Sequence, residues 1–176
     1  FSESMPFGAV LPILYKWSPN SARFVPGRRF DPLRFREHEV ASIICYEDII
    51  PGFVNRIMRN GKPDLIANLT NDAWFGDTTE PWIHLALARL RAVEHRRYFV
   101  RSTNSGVSAI IDPVGRVVVH TKTFEAKAMD GTIAWLRGTT PYGVLGDSPF
   151  WLVTLVALYA ALKGPPKRLL VGHRAG

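Results

Sequence analysis

The order of apolar runs predicts an α/β layered domain, and three observations carry that prediction. A short β-branched run, EVASII at 39–44, ends at a turn after which Pro51 suits the first turn of a helix. A second short strand, DLIANLT at 64–70, is followed by the turn-rich loop NDAWFGDTTE and a long helix opened by Pro81. GVSAIID and RVVVHT then flank Pro113 and Gly115, which is a hairpin signal. Strands that alternate with helices and then pair locally belong to a layered α/β domain, whose functional residues tend to lie past the carboxyl ends of strands.

Taken in order, residues 1–36 are rich in proline and aromatics without periodicity, and they read as long loops. The strand at 39–44 leads to Cys45, and the helix from Pro51 runs through about Asn60 and closes at Gly61. The helix from Pro81 is expected to reach about Val100, with an apolar stripe of Ile83, Leu87, Leu90 and Val93. TIAWL at 132–136 is a further candidate strand. PFWLVTLVALYAAL at 149–162 is uncharged and apolar, but it is shorter than the roughly twenty residues of a spanning helix. A buried core helix fits it. So does a membrane helix that begins near Gly143, with Tyr142, Trp151 and Tyr159 as interfacial aromatics and KGPPKR at a cytoplasmic end.

Composition restricts the class. The 176 residues, 47% hydrophobic and 21% charged, suit one globular domain with a real core. The chain begins at Phe1 without an initiator Met and reads as a fragment. A net charge of +7 raises nucleic acid or an acidic membrane as partners. Its distribution does not form one basic face: Lys163, Lys167, Arg168 and Arg174 lie in a tail, and Arg89, Arg91, Arg96, Arg97 and Arg101 on the long helix and its exit. RRYFVR interleaves basic and aromatic residues, yet on such an exit it reads as a solvated face with a core edge. Arg91 and Glu94 read as a helix-surface or interface pair. The five histidines lack ligand spacing, so no metal is expected. Asn68-Leu69-Thr70 matches a glycosylation pattern by chance, as a strand end.

Cys45 is the single cysteine, so no internal disulfide is possible. A lone cysteine at a strand end is commonly a small buried hydrophobe. A strand-to-helix turn, however, exposes a side chain and directs backbone N–H groups toward it, which suits a nucleophile. Glu47 and Asp48 beside it oppose ionisation of the thiol, so a reactive Cys45 requires a base or a cation from elsewhere in the fold.

ICYED, the run NLTNDAWFGDTTEPWIHLALARLRAVEHRRYFVRSTNSGVSAIIDPVGRV and the terminal TPYGVLGDSPFW together resemble the apolipoprotein N-acyltransferase family, an inner-membrane branch of the bacterial nitrilase superfamily. The resemblance implies a nitrilase-like αββα sandwich facing the periplasm, represented in part by residues 1–140. A membrane helix at 143–163 and a basic cytoplasmic tail at 164–176 would follow. It implies a Glu-Lys-Cys triad that moves an acyl chain from phospholipid, through a cysteine thioester, to the N-terminal amine of a diacylglyceryl-cysteine lipoprotein.

Carried over by position, Cys45 matches the nucleophile, the Tyr46 N–H an oxyanion donor and Glu47 the acidic position beside it. FSESMPF resembles the family's FGE..PF and places Glu3 at a supporting glutamate, with Ser2 where the family has glycine. The triad's base glutamate and lysine are expected upstream of Phe1, since neither Lys16 nor Lys62 stands in the family's lysine context. Asn71, Trp74 and Phe75 match substrate-binding positions, and the apolar stretch at 5–17 is expected to contact lipid. The implied partners are a phospholipid donor, a lipoprotein acceptor and the membrane, with no nucleic acid, no cofactor and a monomeric enzyme. A soluble carbon-nitrogen hydrolase using the same cysteine and a catalytically incomplete remnant are the alternatives.

Overall fold

The structure, a computed structural model, describes Gly27 and residues 29–164. Glu3, Lys16, the apolar stretch at 5–17 and the tail beyond Gly164 lie outside the described residues. The elements below belong to a compact unit that begins at Asp31.

One six-stranded mixed sheet organises this unit, with its strands in chain order. They are β1 (Leu33–Phe35), β2 (His38–Ile44), β3 (Leu65–Thr70), β4 (Tyr98–Thr103), β5 (Ala109–Ile111) and β6 (Val117–His120). β2, β3 and β4 are parallel; β1 and the β5–β6 hairpin add antiparallel edges. The parallel crossovers are helices α1 (Pro51–Gly61) and α2 (Glu80–His95), which pack on each other and on the sheet. Alternation along each strand sends Ala41, Ile43, Ile66 and Phe99 into the layer occupied by Val54, Ile57, Ala88 and Ala92, and all of these are buried. The opposite face is open at its carboxyl end. There Ile44 pairs with Leu69 and Leu69 with Ser102, and all three are exposed.

Three sequence expectations are corrected here. The 1–36 region is not wholly loop, since Leu33–Phe35 pairs with Glu39 and its neighbours as β1. The second helix stops at His95 rather than near Val100: Arg96 adopts a left-handed φ of 52°, and β4 begins at Tyr98. TIAWL forms no strand, because residues 131–138 run across the sheet instead of along an edge. Gly131 lies against Ile110, whereas Trp135 stacks on His38 at 4.1 Å and the Leu136 N–H donates to the Asp64 carbonyl at 3.3 Å. Arg97, buried, fastens this segment by donating to the carbonyls of Pro63 at 2.8 Å and Gly138 at 2.7 Å.

The orientation of α2 is a fourth correction. Its buried residues are Pro81, His84, Leu85, Ala88, Arg91, Ala92 and His95, while Ile83, Leu87, Leu90 and Val93 face outward. Arg91 and Glu94 are therefore not a surface pair; the Arg91 side chain is buried, and its Nη2 lies 2.6 Å from Glu94 Oε1. Charge placement outweighs apolar periodicity in choosing the inner face, because acidic groups of the sheet layer face His84.

Beyond the sheet, α3 (Pro141–Leu145) and α4 (Ser148–Lys163) follow, divided by Gly146 at φ 56°. The single helix expected from about Gly143 is thus two. Every residue of α4 is exposed. Among the described residues no helix is long and apolar enough to cross a membrane.

Burial pushes Glu94 up to about 7, with Asp147 adding to the effect and Arg91 opposing it. A carboxyl raised in the folded state favours folding fully below its ordinary range near 4.5, and that contribution is lost as pH rises through 7. Glu94→Gln removes this loss, so the variant should gain stability relative to the parent protein between pH 4.5 and 7 in thermal melts. A constant difference across that window would contradict the assignment.

Candidate active site

The site begins with the backbone at the end of β2. Ile44 is extended, Cys45 turns to a left-handed φ of 50°, and a 3-10 turn over Cys45–Ile49 leads through Ile50 into α1. A non-glycine residue held in this region costs about 1–3 kcal/mol and persists only where its surroundings enforce it. The reversal takes the Cys45 side chain out of the strand's alternation at the carboxyl end of a parallel strand. The thiol is half-buried and has no hydrogen-bond partner among the described residues. Two contacts hold the turn: Glu47 Oε2 accepts from the Ile44 N–H at 2.7 Å, and Asn68 Nδ2 donates to the Cys45 carbonyl at 3.0 Å.

Beneath this turn lies a cluster of four fully buried ionisable side chains. Arg101 Nη1 donates to Asp48 Oδ2 at 2.7 Å and to Asn68 Oδ1 at 3.1 Å, and its Nη2 donates to Asp72 Oδ2 at 2.9 Å. His84 bridges the same two carboxylates, with Nε2 2.8 Å from Asp48 Oδ1 and Nδ1 3.2 Å from Asp72 Oδ1. Burial alone would push His84 down, but Asp48 and Asp72 outweigh it and the net direction is up. Burial likewise opposes ionisation of Asp72, yet His84 and Arg101 hold it below the usual carboxylate range. The guanidinium and the imidazole thus both face the two carboxylates, so that the charges buried here have partners of opposite sign. Arg101 Nη2 and His84 Nδ1 lie only 2.8 Å apart because both converge on Asp72. Gly106 makes room for this arrangement, since a Cβ there would overlap the Asp72 carboxylate.

Tyr46 links cluster and surface. Its ring stacks on His84 at 4.3 Å and 6°, its hydroxyl donates to Glu80 Oε1, and Phe75 meets it edge-on at 5.9 Å. Burial, reinforced by Glu80, pushes the phenol up and keeps it a donor. Through Phe75 the short turn Ala73–Phe75 is held beside Cys45's own turn, with the Ala73 N–H donating to Asn71 Oδ1 at 3.0 Å. Trp74, 82% exposed, projects from that turn.

Thus the structure brings Cys45, Tyr46 and Glu47 together on one turn and sets Phe75 against Tyr46, with Asn71 and Trp74 on the loop that carries it. Asp48 differs from expectation: it is buried and paired with Arg101 and His84 rather than left as a free charge near the thiol. Arg101, expected on a solvated face, is buried as well. Sequence reasoning missed Asn68, Asp72, His84 and Arg101. Their signal is polar residues in inward register, since Ile43, Asn68 and Arg101 are neighbours across β2, β3 and β4. Among the described residues no group of side chains could hold a metal. A cavity of about 240 Å³ lies between α1, α2 and α3, lined by Asn55, Lys62, His95 and Thr140 among others, and no residue of the Cys45 turn reaches it.

Comparison with known proteins places this geometry in a family. The carbon-nitrogen hydrolase profile matches residues 4–135. The chain is 44% identical over 140 residues to apolipoprotein N-acyltransferase 2 of Leptospira interrogans, covering 76% of this chain and 22% of that protein. It is 35% identical over 162 residues to the apolipoprotein N-acyltransferase of Haemophilus influenzae (90% and 30%). With that of Photobacterium profundum the identity is 32% over 180 residues (100% and 33%). The chain thus spans a third or less of the length of these relatives. In fold it is similar to a carbon-nitrogen hydrolase from Helicobacter pylori G27, with a TM-score of 0.51 at 13% identity over 61% of this chain and 45% of that one. Nit3 of Saccharomyces cerevisiae, a nitrilase-superfamily member, gives 0.50 at 22% identity over 58% and 40%. Cys45 on a tight turn past a parallel strand, the mixed sheet and a profile match over most of its length agree: the chain belongs to the carbon-nitrogen hydrolase family.

Proposed function

We propose that this chain is the cysteine-bearing part of an apolipoprotein N-acyltransferase, acting in a longer protein on lipid at a bacterial inner membrane. The observation that carries the proposal is Cys45, held at positive φ past β2 in a chain similar to enzymes of that name. Cys45 is the nucleophile, the Tyr46 N–H is an oxyanion donor, and Glu47 and Glu3 support the site. Asn71, Trp74 and Phe75 face the acyl chain.

The reaction proceeds in two transfers. Cys45 Sγ gives up its proton to a base and attacks the ester carbonyl, so that a C–S bond forms and the carbonyl oxygen becomes an oxyanion. Collapse breaks the C–O bond, and the lysophospholipid leaves with the proton. The acceptor amine then attacks the thioester, forming C–N and breaking C–S, and its proton restores the thiol. The thiol makes no hydrogen bond among the described residues, and on this reading the Glu and Lys of the triad come from another part of the protein. The layers fit as well: the described residues supply one sheet and the helices on one face, and a second sheet over the open Ile44–Leu69–Ser102 face completes an αββα sandwich.

Membrane attachment falls to α4. A helix apolar all round is buried in a core or in lipid, and α4 is exposed throughout. Its 16 residues rise about 24 Å at 1.5 Å per residue, against a hydrocarbon core of about 30 Å, so α4 by itself reaches most of the way through such a layer. With catalytic residues on the periplasmic side, the basic tail lies in the cytoplasm. This apolar surface favours acyl transfer in lipid over hydrolysis of small polar amides.

In the full-length protein, incubation with labelled phospholipid should give a hydroxylamine-sensitive adduct that disappears in Cys45→Ala; an undiminished adduct in that variant would exclude Cys45 as the acyl carrier. For the membrane reading, an environment-sensitive fluorophore at position 155, in place of Leu155, should blue-shift when vesicles are added. An unchanged spectrum would place α4 against protein or water instead.

A further inference from the structure

We propose that Asn68 is a positioning residue for acyl transfer: locked by Arg101, its amide pins the Cys45 carbonyl and thereby aims the Tyr46 N–H at the oxyanion. The inference rests on the reading of Cys45 as the acylated nucleophile.

The geometry of one peptide unit carries it. The Cys45 carbonyl and the Tyr46 N–H belong to the same planar trans peptide and point in opposite directions. Whatever holds the carbonyl therefore directs the N–H. Asn68 Nδ2 holds the carbonyl at 3.0 Å from the buried layer, which sends the N–H away from that layer.

An asparagine amide can present either end, and here the choice is made for it. Arg101 Nη1, a donor only, lies 3.1 Å from Oδ1, so Nδ2 must be the end that meets Cys45. Arg101 cannot turn away, because Asp48 and Asp72 hold it on two further sides and all three are fully buried. The same cluster reaches Tyr46 from the side-chain end, through the His84 ring stacked on it and the Tyr46 hydroxyl bound to Glu80. Both ends of the Tyr46 unit are thereby fixed before any substrate arrives, which is the condition for a preorganised donor. Asn68 touches neither thiol nor substrate, and it acts through the peptide it holds.

The test separates reactions that need an oxyanion from one that does not. In the full-length protein, Asn68→Asp keeps the acceptor for Arg101 but sets a carboxylate oxygen against the Cys45 carbonyl. Acylation of Cys45 by a p-nitrophenyl ester should fall on the order of 10- to 100-fold, with the ester's half-saturating concentration unchanged. Alkylation of Cys45 by iodoacetamide, which forms no oxyanion and registers only the ionisation of the thiol, should fall by a smaller factor, so that the acylation-to-alkylation ratio drops. The carbonyl stretch of the acyl-enzyme should move to higher frequency as its hydrogen bond weakens. If Asn68→Asp does not fold, Asn68→Ser, which removes the amide without adding charge, is read by the same acylation-to-alkylation ratio. Acylation and alkylation falling by the same factor, or acylation at the parent rate, would overturn the proposal. A parent protein acylated by the ester but not by phospholipid would reject the lipid donor and leave the ratio valid; one acylated by neither would overturn both readings.

Discussion

The guanidinium of Arg101, sealed between Asp48 and Asp72, is the interaction on which the rest of this structure depends. Arg101 comes from β4, Asp48 from the turn after β2, Asp72 from the loop after β3, and His84 from α2. One buried charge group thus ties three parallel strands to the helix that covers them. Removing one partner from such a cluster costs about 3–5 kcal/mol, because a charge is left buried without compensation, although well-packed apolar replacements of a whole cluster are often as stable. Its value here therefore lies in specifying one arrangement. With the ions in place, Asn68 can face only one way, Cys45 is held at positive φ, and Tyr46 stacks on His84.

That cluster also marks the boundary of what was legible in the sequence. Elements built on local chemistry were readable: the strand of β-branched residues before Cys45, Pro51 and Gly61 at the ends of α1, and the Pro113–Gly115 hairpin. The cysteine's turn was readable as well, and the resemblance of ICYED and TNDAWFG marked the loops that converge there. Apolar periodicity misled in α2, where Ile83, Leu87 and Leu90 form the outer stripe and His84, Arg91 and His95 face inward. A period count ranks residues by hydropathy and cannot register that two carboxylates lie on the sheet side. The same blindness extended the helix through Arg96, whose left-handed turn frees Tyr98–Thr103 to become β4. Without β4, Arg101 has no inward register, and its partners are separated from it by up to 53 residues of chain.

On the proposed function, catalysis and membrane attachment would use opposite resources of the fold. The Cys45 turn is held by buried charges on the helical side of the sheet, whereas the features proposed to meet lipid are exposed apolar surfaces: Trp74 on its loop, and α4 along its whole length. Such surfaces are stable only against lipid or further protein. A cysteine on a rigid turn, with the exposed Trp74 on the adjoining loop, would suit the proposed enzyme, which draws its acyl donor from a bilayer.

The most direct test of the central claim is a pair of high-resolution structures of the full-length protein, the parent and Arg101→Lys. Lysine retains the charge but, as a single ammonium, cannot reach Asp48, Asp72 and Asn68 with a planar fork. The account predicts that the parent keeps Cys45 near a φ of 50° with its carbonyl bound to Asn68, and that the lysine variant releases the amide and relaxes Cys45 to negative φ. An unchanged turn in the variant would contradict it, and would show that the elbow holds its shape without the ions beneath it.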